Sequence, residues 1–161
     1  MATHAWHDLT HDFRDEMHDL AAINRVDEAR QAFLGLWATF VVLPLLFGLD
    51  KLLGFMTDNW EAYLATWMND AIPGSATDAM LWFGVIEIVL AVVVFFAPRW
   101  GGDAFALWSL LGALSLFSID GTAHLGLGLL ALGVAALCMA RMAHGYHDRT
   151  IAATATPPTA V

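Results

Sequence analysis

The chain has little charge, a single cysteine and few basic residues. Of its 161 residues 14% are charged, where a soluble domain carries about 25%. The formal net charge of −9 argues against nucleic-acid binding, which needs a basic face. Cys138 cannot form an internal disulfide, and a dithiol site needs two cysteines. The low charge thus excludes an ordinary soluble domain, and the single cysteine excludes disulfide redox chemistry by this chain alone.

Apolar sequence takes the place of charge, at 58% of all residues. A spanning helix needs about 20 apolar residues, and four spans satisfy or approach that length: 32–55, 79–97, a short 104–119, and 122–143. We predict an all-α protein, a membrane-spanning antiparallel four-helix bundle over residues 31–145. An amphipathic helix over 1–30 precedes it, and a disordered tail over 146–161 follows it.

Basic residues predict the orientation of these spans. The six arginines fall on one side of the predicted membrane: Arg14, Arg25, Arg30, Arg99, Arg141 and Arg149. Lys51 falls on the other side. Because cytoplasmic loops carry the excess of basic residues, both termini are predicted to be cytoplasmic.

The N-terminal helix has an apolar stripe at spacings of three and four. Its members are Trp6, Leu9, Phe13, Met17 and Leu20. The opposite face is rich in aspartate and histidine, so anionic lipid should repel it. We predict a protein partner for the stripe, with packing against the chain's own bundle as the open alternative. His7 and His11 have a spacing that metal ions accept, but a solvated polar face explains them, and no metal is predicted.

The outer loop, 57–78, holds Trp60, Tyr63 and Trp67 at helical spacing, which predicts a short interfacial helix. Asp58 followed by Glu61 resembles a capping box. We interpret four tryptophans as interface anchors or core residues: Trp60, Trp67, Trp100 and Trp108.

Glu87 lies at the centre of the second span, where a charged group costs roughly 2.5–3.5 kcal/mol. Four other polar residues also fall in the outer half of the predicted bilayer: Asp50, Lys51, Asp120 and His124. Intramembrane ionisable groups usually face the bundle interior and pair with one another. The sequence therefore predicts a buried polar cluster of these five residues.

Several functions fit such a cluster. Glu87 could bind or relay a proton that His124 exchanges with outer water, and Lys51 could bind a quinone carbonyl. A structural ion pair of Lys51 with Glu87 or Asp50, fixing helix register, carries equal weight. Oxygen and nitrogen ligands for a metal are present, but their spacing does not demand one. Bis-histidine haem needs a second histidine within a span, so we predict no cofactor bound by this chain alone and leave quinone open.

The pattern around these residues resembles the DoxX-like family of small four-helix membrane proteins. Its pieces are Gly48 and Lys51 at the end of span 1, then Ile72-Pro73-Gly74, then the mid-span Glu87, and a fourth span that opens near His124. The resemblance covers most of the chain. The His-rich N-terminal segment is not part of the family pattern.

The resemblance implies a role in prokaryotic inner membranes. Some members are subunits of thiosulfate:quinone oxidoreductase or are tied to terminal quinol oxidase, and others belong to redox-stress complexes. We therefore expect an accessory subunit of a redox or respiratory assembly, without catalysis by this chain alone. A stand-alone carrier or ligand-binding protein that uses Glu87 is the alternative. Small residues in span 4 would suit contact with another subunit, a second copy included, or packing within the bundle.

Overall fold

The computed structural model describes residues 14, 17–19, 21 and 27–155, with side chains to residue 145. The ordered elements from residue 27 onward are helices, and no strand occurs in the described ranges. They are α1 (Glu28–Leu53), a 3-10 helix (Trp60–Tyr63), α2 (Thr66–Asp70), α3 (Ala76–Phe96), α4 (Pro98–Phe117) and α5 (Ala123–Ala155). The all-α prediction is confirmed.

Four helices are long and apolar enough to cross a membrane. They are Glu28–Leu53, Ala76–Phe96, Pro98–Phe117 and the part of α5 from Ala123 to Gly145. The predicted class of multi-pass membrane protein is supported. The third span is longer than predicted, because the helix starts at Pro98 rather than near residue 104. Proline suits the first helical position, since its missing N–H has no partner there and its φ is already helical.

The last helix continues beyond the apolar span, through residues 146–155 of the predicted disordered tail. Between Pro98 and Pro157 the sequence has no proline, which would end a helix, so the polar sequence after residue 145 can extend α5. Residues 156–161 lie outside the described residues. Four members of the predicted partner stripe also lie outside the described residues: Trp6, Leu9, Phe13 and Leu20. The same is true of His7 and His11, whereas Met17 of the stripe is described and exposed.

At the α3–α4 end of the bundle, a tryptophan bonds to an open helix-terminal carbonyl. Val94 lies in the last turn of α3, where carbonyls have no intrahelical partner, and Pro98 has no N–H to offer. The Trp37 indole of α1 donates to that carbonyl at 3.2 Å. A Cβ on Gly101 would lie 2.5 Å from Val94 Cα, so the tight α3–α4 turn requires glycine there. The adjacent core holds Phe33, Leu34, Trp37, Phe40, Leu90, Val94, Phe105, Ala136 and Met139.

At the opposite end of the bundle, α1 and α3 touch backbone to backbone. A Cβ on Gly48 would lie 2.6 Å from the Gly84 carbonyl oxygen, and one on Gly84 would lie 2.8 Å from that of Gly48. The space beside Gly84 is taken by the stem of Lys51, whose Cβ lies 3.0 Å from the same position. The contact thus brings the Lys51 side chain alongside α3, one turn from Glu87.

We expect Gly48→Ala to lower the free energy of unfolding by about 1–3 kcal/mol, the usual cost of an added methyl group in a packed contact. Gly35→Ala on the same helix is the matched control, because a Cβ there meets nothing within 4 Å. It should be neutral or stabilising by up to about 1 kcal/mol, since alanine favours helix. Unfolding of the purified protein in mixed micelles measures both, and equal effects would contradict the close contact.

Candidate functional site

The centre of the site is an ion pair between α1 and α3. Lys51 Nζ lies 2.7 Å from Glu87 Oε2, and the two side chains are 7% and 14% exposed. Of the two pairings that the sequence left open for Lys51, the structure contains the one with Glu87. Charge-assisted hydrogen bonds of this length are stronger than neutral ones. Two charges thus hold the two helices in one register.

Trp60, from the 3-10 helix of the outer loop, covers this pair. Lys51 Nζ lies 3.8 Å from the centroid of the Trp60 ring, well within the range of a cation–π interaction. The Trp60 indole N–H donates to Asp50 Oδ2 at 2.7 Å. Phe47 and Tyr63 pack edge-on against the ring, at centroid distances of 5.9 and 6.0 Å. Trp60 therefore contacts both charged neighbours at the end of α1.

Asp50 is completely buried and shapes the chain reversal after α1. Its carboxylate accepts from the backbone N–H of Met56 as well as from Trp60. Its carbonyl accepts from the N–H of Gly54, which ends the helix in the left-handed conformation at φ 64°. Glycine adopts that conformation without steric cost. Asp50 is thus satisfied by the loop, and the loop is held to α1 through it.

Trp108 of α4 brings a third helix to the site. Its ring packs at 90° against Phe83, one turn before Glu87 on α3, at 5.1 Å between centroids. Trp108, which we interpret from the sequence as an anchor or core residue, thus has a packing contact with the helix that carries Glu87.

The outer loop is fixed to α4 by two serines. Ser115 Oγ accepts from the N–H of Ala65 at 2.9 Å and donates to the Tyr63 carbonyl at 3.2 Å. Ser118 Oγ accepts from the Trp67 indole at 3.1 Å. The loop from Tyr63 onward is therefore tied down beside the site.

The predicted capping box of Asp58 and Glu61 is wrong. Asn59 precedes the 3-10 helix without a side-chain cap, and Glu61 accepts a hydrogen bond from the Thr77 hydroxyl. The capping box of this loop is formed by Ser75 and Asp78 at the start of α3. The loop is split into two short helices, so one continuous interfacial helix is not formed.

Asp120 and His124 do not belong to the buried cluster, which corrects that part of the prediction. Both are exposed, and among the described residues neither makes a hydrogen bond or ion pair with Asp50, Lys51 or Glu87. Asp120 lies in the turn after α4, and His124 lies in the first turn of α5. Depth in the bilayer was predictable for them, whereas the direction in which each side chain points is set by helix packing.

Two other sequence features have structural answers. Among the described residues, no group of three histidine, cysteine, aspartate or glutamate side chains could hold a metal ion.

The small residues of α5 serve in part for packing within the chain, since a Cβ on Gly126 would lie 2.9 Å from the Phe117 ring. Gly128 faces open space, with nothing within 4 Å of its Cβ position.

The Lys51–Glu87 pair is chemically able to transfer a proton and to donate hydrogen bonds to a ligand. Transfer of one proton from the Lys51 ammonium to the Glu87 carboxylate would give a neutral amine and a neutral acid without changing net charge. Glu87 takes one of the three ammonium donors, which leaves donors for another acceptor. The arrangement can therefore hold a proton at two places or bind a ligand that accepts hydrogen bonds.

Comparison with known proteins adds no relative: no family model matches the chain, and no curated protein and no solved structure is significantly similar to it. The resemblance to the DoxX-like family thus depends on the sequence residues that carry it and on nothing from these comparisons. Three of them, Gly48, Lys51 and Glu87, lie together at the contact of α1 with α3.

We expect Lys51→Met and Glu87→Gln each to destabilise the protein by roughly 3–5 kcal/mol, because each leaves one buried partner uncompensated. The double variant should lose clearly less than the sum, since it removes both charges. Unfolding in mixed micelles gives the coupling energy. Glu61→Gln, an exposed carboxylate, is the control and should change stability by no more than about 0.5 kcal/mol. Additive single effects would show that the pair is not coupled.

Proposed function

We propose that this chain forms an antiparallel four-helix bundle in a prokaryotic inner membrane, with both termini cytoplasmic. The contacts between helices support the antiparallel order, because residue numbers rise along one helix as they fall along its neighbour. Gly48 meets Gly84 while Trp37 meets Val94, and Gly102 meets Ala136 while Gly112 meets Leu129. The arginines that flank the spans support the orientation.

Within that membrane frame, we propose a small accessory subunit of a redox or respiratory assembly. The Lys51–Glu87 pair is its proton- or quinone-responsive site, in the outer half of the bilayer. The carrying observation is the 2.7 Å ion pair between two spans, covered by Trp60. Three of the residues that carry the resemblance to the DoxX-like family, Gly48, Lys51 and Glu87, meet at this site and support the redox assignment.

Helix packing by itself does not require such a pair. Removing two charges from water costs several kcal/mol per ion, and apolar residues of similar volume often hold helices equally well or better. The glycine contact between Gly48 and Gly84 already brings the helices together. The presence of a lysine and a glutamate there is more readily explained by a role for the charges themselves.

A stand-alone carrier or ligand-binding protein is the second candidate. One observation favours it: the pair lies at the outer end of the bundle beneath a single loop side chain, Trp60, where a ligand from the outer water would arrive. In that case Glu87 would be the proton or substrate site of the isolated protein or of its oligomer.

Native purification tests the assignment. A tagged chain from its own membranes should co-elute with larger redox subunits, and the eluate should show haem or flavin bands in a reduced-minus-oxidised spectrum. The folded fraction of Glu87→Gln should still co-elute, and the quinone-dependent electron transfer of that assembly should fall by about a hundredfold or more, the range for one functional proton-transfer group. Glu61→Gln is the matched control and should retain activity.

A colourless eluate of this chain alone would overturn the accessory role and favour the carrier. Binding and proton-flux assays on Glu87→Gln would then decide that second candidate.

The topology has its own test. In a Cys138→Ser background, Asp70→Cys in the outer loop should react with a membrane-impermeant maleimide added to intact cells. Asp103→Cys, near the start of α4, should react only after the membrane is opened. Both positions are exposed. The reverse pattern would invert the proposed orientation.

A further inference from the structure

Trp60 is the outer-loop side chain that lies directly on the ion pair. Its ring centroid is 3.8 Å from Lys51 Nζ, and its indole N–H is bonded to Asp50 at 2.7 Å. Both partners are adjacent residues at the end of α1. The indole is thus held by helix α1 through two different interactions, although it belongs to the loop.

The segment that carries Trp60 has few buried contacts. The 3-10 helix Trp60–Tyr63 has no side-chain cap and no buried residue. Apart from the contacts of the Trp60 ring, it is held by the bond from Thr77 to the exposed Glu61 and by the bond from Ser115 to the Tyr63 carbonyl at its end. Just after it, Ala65 is buried and bonded to Ser115, and Trp67 is bonded to Ser118. Short segments with few buried contacts open at the lowest free energy. One short turn can therefore move while the following residues stay anchored to α4.

We infer that Trp60 is a gate between the outer water and the Lys51–Glu87 pair. With the indole on Asp50, the ammonium of Lys51 is closed to the outside. When the ring swings away, the two ammonium donors not used by Glu87 face the outer water. They would take a proton acceptor or a ligand that offers carbonyl or anionic oxygen. The inference depends on the proposed function, because a gate needs a site that exchanges something.

Lys51 provides a direct readout, since it is the one lysine in the sequence. The full-length protein in lipid nanodiscs is treated with a charged, water-soluble N-hydroxysuccinimide ester, and acylation of Lys51 is followed by peptide mass spectrometry. The N-terminal amine reacts in parallel and serves as the internal standard. We expect slow acylation in the wild type and at least about tenfold faster acylation in Trp60→Ala, the order expected for loss of one hydrogen bond to a charged group.

Two further variants make the result specific. Trp60→Phe keeps a ring over Lys51 and loses the donor to Asp50, so its acylation rate should lie between those of the wild type and Trp60→Ala. Trp67→Ala removes the other loop indole that bonds to α4 and should leave the rate unchanged. Equal rates in the wild type, Trp60→Phe and Trp60→Ala would overturn the gate. An equal rise in Trp67→Ala would overturn it too, because the loop as a whole would then be the barrier.

The outcome is separable from that of the proposed function. Acylation of Lys51 measures access to the pair and needs neither partner subunits nor quinone. If the Trp60 variants change the acylation rate as expected but Glu87→Gln leaves electron transfer unchanged, only the redox role is rejected. If Glu87→Gln lowers electron transfer but the Trp60 variants leave the acylation rate unchanged, only the gate is rejected.

Discussion

The backbone contact between Gly48 and Gly84 is the constraint on which the site depends. It lets α1 and α3 approach until a Cβ on Gly48 would lie 2.6 Å from the opposite carbonyl. At larger separation the Lys51 stem would not run beside Gly84, and its ammonium would not reach Glu87. In a bilayer, where lipid offers no hydrophobic drive for helices to associate, small residues at such crossings make close packing effective. The two glycines set the distance between α1 and α3, and at that distance Lys51 reaches Glu87.

The partner of Lys51 depends on which nearby carboxylate already has its hydrogen-bond donors. Asp50 has no exposure, yet its carboxylate is occupied by the Met56 N–H and the Trp60 indole. That leaves Glu87 as the anion for Lys51. Two adjacent residues of one helix, Asp50 and Lys51, thus have separate tasks: one closes the loop and the other crosses to the next helix.

Much of the fold could be predicted from the sequence, because apolar runs of spanning length are a direct physical signal. The start of α4 was missed, since Pro98 reads as a break when it in fact opens a helix. At the site, the sequence places Lys51 and Glu87 in the outer half of the predicted bilayer, with their pairing as one alternative. Asp120 and His124 were assigned by depth alone, and depth does not determine which way a side chain faces.

The tryptophans show a second limit of sequence reasoning. Trp60 and Trp67 lie in the same loop with the same spacing signal, yet one bonds to Asp50 and the other to Ser118. The difference arises from the path of the loop after Gly54. Local pattern could not separate these roles, because the contacts involve residues on different helices.

The bond between Trp37 and the Val94 carbonyl has a consequence for sequence variation. The carbonyl is open to the indole because α3 ends at Phe96 and Ala97 leaves the helical conformation. A buried indole without an acceptor is unfavourable, so tryptophan at position 37 is favoured only while α3 ends at this residue. The place where one helix ends thus constrains the residue at a position 57 residues earlier in the chain.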